Sequence, residues 1–357
     1  MISRFFNFDG CRLKLIADEL SHFEWLAEFY DYPVIDEPDE VIATVTLCSD
    51  RHRLEQGQLS ADQANCASVF TYDDRDRCIP QWRANQCEFA LDPELNTLIE
   101  LRGQYIQVIG EDDLGAARVC WLRVVRELHQ RWLVQCGFSL LHAAAVALPP
   151  NNEVVLLVGA KKSGKSTLLT YLVGYQGAAY VTNDRAAVHP DGRVIAIPTI
   201  VSIRPGTFDH LDHLPPLGRE HRSSYAHRRS LRELVTETGE PLTHRKNPFS
   251  GTPAQYRQWL GSGNINAGSA LAVLFPQISE AETPKLVPVQ SESPFDKFQI
   301  KINRVGMFAG LVPQTKSKST PCKFPSFVCY LGQYPVKKTH GLLGELLSLS
   351  NQTENQT

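Results

Sequence analysis

The run Gly159-Ala160-Lys161-Lys162-Ser163-Gly164-Lys165-Ser166-Thr167 is the stretch of this 357-residue chain whose residue types and spacing most directly carry chemistry. Two glycines with four residues between them, then Lys and Ser, form a phosphate-binding pattern. The glycines let the backbone curl so that successive N–H groups point at phosphate oxygens, and the N-terminus of a following helix adds its positive end. Lys165 can then reach the β- and γ-phosphates, and the Ser166 hydroxyl can ligand Mg²⁺. The run lies between a continuous apolar strand, Glu153–Val158, and a segment with amphipathic helical spacing over 165–173, which is the setting the pattern requires.

Further residues are placed to serve such a loop. Nineteen residues after Lys165, Tyr180-Val181-Thr182-Asn183-Asp184-Arg185 reads as a strand ending in an acid. A carboxylate there can hold Mg²⁺ through water or accept a proton from an attacking hydroxyl. The competing reading is a turn-initiating Asn-Asp pair. His142, in Leu140-Leu141-His142-Ala143-Ala144-Ala145, is expected mid-strand, where small neighbours leave room for a ligand or a close backbone. A lone histidine in an apolar strand is otherwise an ordinary core residue. Arg204, at the end of the next strand, and Arg185 are candidate phosphate or substrate contacts.

The elements that must position these residues follow from periodicity. In the first part, residues 18–30 have helical spacing with Leu20, Phe23, Leu26 and Phe29 on one side, while 41–47 and 105–109 read as strands. A helix is expected over 116–136, apolar at Val119, Leu122, Val125, Leu128, Trp132 and Leu133, with Gly137 placed to end it. Strands are expected over 139–148, Glu153–Val158 and 178–182. A hairpin is expected around Asp191-Gly192, and a return to the sheet over 270–275. Residues 208–268 read as a polar, His- and Arg-rich insertion with one or two short helices. A short helix over 341–349 and a polar tail over 350–357 close the chain.

Composition bounds the alternatives. Residues 1–115 hold 23 acids against 9 bases, a net of −14, and the remainder a net of +11, behind an overall −3. That asymmetry suggests two domains with different partners, or two that attract each other, with the boundary near 115. No stretch approaches about 20 uninterrupted apolar residues, so no membrane span is expected. Nothing after Met1 reads as a secretory h-region, which makes the cytoplasm the expected location. The nine cysteines are an odd number without a CxxC pair and are expected to be reduced. The run His221 to Arg232 can clamp phosphates or be a solvated basic face. Asp209-His210 and Asp212-His213 are expected to be turn residues rather than metal ligands. Nucleic-acid binding has no reading motif behind it.

Taken together and in this order, Leu140-Leu141-His142-Ala143, Val154 to Thr167, Tyr180-Val181-Thr182-Asn183-Asp184-Arg185 and Ile203-Arg204 resemble the HPr kinase/phosphorylase family over about seventy residues. The resemblance implies an α/β (α+β) chain: a phosphoenolpyruvate-carboxykinase-like P-loop kinase domain over 116–349, preceded by a smaller, acidic, mixed α/β domain over 1–115 for recognition or partner binding. It also implies Mg-ATP-dependent transfer of the γ-phosphoryl group to a hydroxyl, most often of serine. Residue by residue, Gly159 to Thr167 would bind the triphosphate and Asp184 would activate the acceptor. His142 would match the active-site histidine, with Ser166 and Asp184 on Mg²⁺. The family usually has two consecutive acids where this chain has Asn183-Asp184, which leaves Asn183 as a neutral Mg²⁺ or hydroxyl ligand. The signature associated with phosphorolysis is not recognisable, which points to a peptide, protein or small-molecule acceptor other than HPr. Relatives form closed oligomers, so a homo-oligomer is an expectation. Two other classes stay open: a nucleotide-dependent switch acting on the N-terminal domain or a partner, and a catalytically weak ATP-binding scaffold.

Overall fold

Hydrophobic strands that alternate in burial need a helix layer to cover them, and the N-terminal part of the chain is built on that requirement. The computed structural model describes residues 1–71, 78–160, 163–203, 207, 249–278, 285–289, 297–302, 306–312, 324–331 and 348. It is mixed α/β and divides into two units, Met1–Phe138 with Ile300–Lys318 and Ser139–Gln299 with Ser319–Thr357. No helix among the described residues is long and apolar enough to cross a membrane. Residues 208–248 of the expected 208–268 insertion and nearly all of the expected terminal helix at 341–349 lie outside the described residues, as do His221 to Arg232 and both Asp-His pairs.

The first unit carries β1 (Ile2–Phe8), β2 (Cys11–Ala17), α1 (Leu20–Ala27), β3 (Val34–Ile35), β4 (Ala43–Ser49), α2 (Arg51–Ala61), β5 (Asn65–Ser68), β6 (Cys78–Ala84), β7 (Cys87–Asp92), β8 (Thr97–Arg102), β9 (Tyr105–Gly110) and α3 (Gly115–Gln135). The strands form one sheet in the order β3-β1-β2-β4-β9-β8-β7-β6-β5, parallel only where β4 pairs with β2 and β9. In α1, Phe23, Leu26 and the following Phe29 are buried as the spacing predicts, but Leu20 is exposed because it begins the helix instead of lying one turn inside it.

Helix α3 matches the expected span within a residue. It ends in a Schellman arrangement: Gly137 sits at φ 91° and the Phe138 N–H donates to Leu133 O at 3.0 Å. One expectation is revised here. The helix belongs to the first unit, so the boundary falls after Phe138 and not near 115, because α3 is the layer that covers β4 and β9. Its polar face is also covered. Arg123 pairs with Asp92 at 2.8 Å, while Glu127 accepts from Arg131 at 2.9 Å and from the Thr71 N–H at 2.8 Å. Buried charges require such partners.

The second unit carries β10 (Ser139–Leu141), β11 (Ala143–Leu148), β12 (Glu153–Val158), α4 (Lys165–Gln176), β13 (Ala179–Thr182), β14 (Arg185–Val188), β15 (Arg193–Ile197), β16 (Val201–Ile203), β17 (Phe249–Gly251), α5 (Pro253–Leu260), β18 (Ala267–Ile278), β19 (Lys285–Pro288) and β20 (Ser326–Leu331). Its main sheet runs β10-β14-β15-β18-β12-β11-β13, with β20 beside β18 and β19 beside β20, while β16 and β17 pair separately. Each end strand is the first half of an interrupted run: β10 leads into β11 and β13 into β14. Within the span expected to be a polar insertion, α5 is a well-formed helix with a Thr252/Gln255 capping box, and Tyr256 and Trp259 join the core.

Trp121 of α3 is fully buried, its ring 5.7 Å from Phe23 in an edge-on arrangement. Trp121→Ala should therefore cost about 3–5 kcal/mol in urea unfolding of the intact chain. At the β14–β15 turn, the Arg193 N–H, then the His189 and Arg193 side chains, hold the Asp191 carboxyl down to about 2. A depressed carboxyl stabilises above its unfolded value and loses that contribution as pH falls. An NMR titration should therefore place the Asp191 midpoint near 2, with the turn loosening only between about pH 4 and 2.

Candidate nucleotide site

The phosphate-loop sequence occupies the connection between β12 and α4. Strand β12 is buried from Val154 to Val158, between β11 and the parallel β18. Helix α4 begins where expected but is not amphipathic. It is buried over 167–173, because Leu168, Leu169 and Leu172 pack on Ala144, Val146, Val155 and Leu157 while Thr170 and Tyr171 are covered as well. Gly164 precedes it at φ 102°, a conformation that costs a residue with a Cβ. A Cβ on Gly159 would lie 2.6 Å from Ser163 Oγ and 3.3 Å from Ser163 Cβ, so a larger residue there would force the Ser163 side chain to shift.

Lys165 is nearly buried, and its ammonium donates to Gly159 O at 2.5 Å and Ala160 O at 3.1 Å. The cation thus lies against the backbone carbonyls that follow β12. Ser163 Oγ is buried and makes no hydrogen bond among the described residues. Ser166 is partly exposed in the first turn of α4, and Thr167 is buried with its hydroxyl 3.2 Å from Thr207 Oγ1. Lys161, Lys162 and Arg204 lie outside the described residues.

Strand register brings the distant pieces to one end of the sheet. Ala143 pairs with Val158, which sets His142 alongside Gly159. On the other side of β11, Ala145 pairs with Thr182, which brings Asn183 and Asp184 to the same level. His142 is not mid-strand. It occupies the break between β10 and β11, and its N–H donates to Phe298 O at 2.9 Å instead of to a neighbouring strand of the sheet. The matching break on the partner run is Asn183-Asp184. Where both runs bend, His142 Nδ1 lies 3.4 Å from Asp184 Oδ1, with the two side chains 26% and 35% exposed. A carboxylate facing Nδ1 favours the proton there and leaves Nε2 to accept. The buried Arg185 places Nε 3.8 Å from Asp184 Oδ2, within ion-pair range but beyond a hydrogen bond.

Asn183 is engaged otherwise than expected. Its Oδ1 accepts from the Tyr180 hydroxyl at 2.8 Å and from Thr199 Oγ1 at 3.3 Å, and its Nδ2 donates to Ile200 O at 2.8 Å. Both ends of the amide are used in holding the turn, which argues against a metal-ligand role. Sequence reasoning missed Thr199, Tyr256 and Phe298, and gave Tyr180 no role beyond its strand. No local pattern marks them, because each acts through a neighbour distant in the chain. Among the described residues no group of three or more His, Cys, Asp or Glu is arranged to hold a metal ion.

No protein-family model matches this chain, and no curated protein matches it. Among solved structures it is similar to the Hpr(Ser) kinase/phosphatase from Coxiella burnetii, with 10% identity over 61% of this chain and 91% of that one and a TM-score of 0.26. A superposition that loose carries no argument about activity.

Gly164→Ala should destabilise the chain by about 1–3 kcal/mol, the cost of a non-glycine residue held at that backbone angle, read as a lowered urea midpoint.

Proposed function

We propose that the second unit is a kinase that uses Mg-ATP to phosphorylate a hydroxyl, most simply a serine of a peptide, protein or small molecule other than HPr. The observation that supports this best is the placement, at one sheet end, of a glycine-bounded loop with a nearly buried lysine beside a half-exposed Asp-His pair. The fold would then be phosphoenolpyruvate-carboxykinase-like, as the sequence resemblance implies.

In this reading the loop N–H groups from Gly159 to Thr167 and the α4 N-terminus hold the triphosphate. The Lys165 ammonium leaves the two carbonyls it now serves for the β- and γ-phosphates, and the orphaned Ser163 hydroxyl supplies one more donor. Asp184 accepts the proton of the acceptor hydroxyl as that oxygen bonds to the γ-phosphorus and ADP departs. His142 orients the carboxylate, and Arg185 holds it from the other side. Ser166 and Asp184 offer hydroxyl and carboxylate oxygens, the hard donors Mg²⁺ prefers, and both are reachable from solvent. When bound there, Mg²⁺ would neutralise phosphate charge. Asn183 is assigned to positioning. The acidic N-terminal unit, which shows no catalytic constellation among its described residues, is assigned to acceptor or partner recognition.

The test is transfer of label from γ-labelled ATP to a library of serine peptides and small molecules. Wild type should label an acceptor. Lys165→Ala and Asp184→Asn should each reduce the rate by about 10²-fold or more. Phosphate release without labelled acceptor, unaffected by any library member, would replace the kinase with a nucleotide switch. Binding without turnover would leave a scaffold.

A further inference from the structure

We propose that Thr170, Tyr256 and Tyr180 are positioning residues that set the phosphate-loop helix and the Asp184 turn against each other through two buried hydroxyl contacts joined by a pair of packed tyrosine rings. The proposal rests on the kinase assignment for its consequence in catalysis but not for its physical content.

The series begins at the loop. Thr170 Oγ1 donates to Ser166 O at 2.7 Å, one turn back along α4. With its single hydrogen committed there, it accepts from the Tyr256 hydroxyl at 2.8 Å. Tyr256 lies on α5, and its ring packs 5.4 Å from that of Tyr180, tilted by 58°. The Tyr180 hydroxyl donates to Asn183 Oδ1, and Asn183 immediately precedes Asp184. One run of side chains thus leads from the backbone of the proposed magnesium-bearing Ser166 to the turn that carries the proposed base.

The arrangement is more than packing. Phenylalanine fills a fully buried aromatic position without a polar group to satisfy, whereas each phenol here must find a partner or incur a desolvation cost. Both hydroxyls find theirs on segments that bear site residues. Burial pushes both phenols well up, so they remain protonated donors at neutral pH. The second anchor is the edge strand β13. After α5 ends at Gly261, Ser262 Oγ accepts from the Tyr180 N–H at 3.1 Å and the Ile265 N–H donates to Tyr180 O at 3.2 Å. Helix α5 is therefore fixed to both segments at once. Phosphoryl transfer depends on alignment, where a misplacement of about 1 Å can cost about 10²-fold in rate.

The first measurement needs no nucleotide: backbone amide exchange over 182–185 in wild type, Thr170→Val and Tyr256→Phe. Both variants keep side-chain volume, and a thermal melt establishes folding. Exchange at the turn should quicken about tenfold, the scale of one lost hydrogen bond, and Thr170→Ser should restore it. Exchange over 182–185 unchanged in both variants overturns the proposal. The second measurement is label transfer. Tyr256→Phe and Tyr180→Phe should each lower kcat about tenfold with the KM for ATP held within about twofold, and the double variant should lose less than the product of the two. A loss equal to the product, or a rise in KM alone, also overturns it. If wild type transfers no label, the kinase assignment fails while the exchange experiment still decides the relay. If a Tyr→Phe variant unfolds, Thr170→Val and its serine rescue decide it alone.

Discussion

The second unit depends on the antiparallel register of β11 between β12 and β13. Backbone N–H and C=O groups in a buried strand must be paired, and side chains alternate between faces, so a slip of one residue would turn every alanine of β11 to the wrong side. In the observed register Ala144 and Val146 meet α4, while Ala143, Ala145 and Ala147 enter the opposite core. The same pairing levels Gly159, His142 and Asp184 at one sheet end. The site is a consequence of where the ladder stops: β10 and β11 separate at His142, β13 and β14 separate at Asn183-Asp184, and the side chains at both breaks are released from the pleat.

The loop shows how a polar site is maintained against a hydrophobic core. A buried ammonium is costly unless hydrogen-bonded, and the carbonyls of Gly159 and Ala160 meet that need for Lys165. Those carbonyls can approach because Gly159 and Gly164 admit a tight curl. Helix α4 is packed over most of its surface, so its N-terminus is held firmly where the loop delivers it. Rigidity there would suit the proposed phosphoryl transfer, which depends on positioning and charge stabilisation.

The first unit solves a different problem. Its sheet is covered by α3, and the helix is covered in turn by Thr71 and Asp92, which pair with its charged residues. A 3.6-residue apolar period predicts one buried face and is silent about the other. Arg123 and Glu127 are enclosed by Asp92 and Thr71, partners distant in sequence that no helical period reveals. The charge asymmetry counted over 1–115 does not mark the division between the units for the same reason: the helix after it carries the apolar face that the preceding strands require.

Local chemistry made several features legible from the sequence alone. The strand Glu153–Val158, the helix starting at Lys165, the turn at Asp191-Gly192 and the Gly137 stop each depend on propensities acting within a few residues. The glycine-and-lysine pattern from Gly159 to Ser166 belongs with them as a sequence signal, because its residues are contiguous. The break at His142 was not legible, since its apolar neighbours favour an unbroken strand and only the pairing of β10 with β14 and β11 with β12 divides it. The role of Asn183 as a lock, and the reach of Tyr256 to both halves of the site, were likewise hidden. Those interactions join residues separated by tens of positions, and hydrogen bonds between distant segments leave no period or spacing in a sequence. Composition and local pattern determined what the loop is made of, and tertiary pairing decided what faces it.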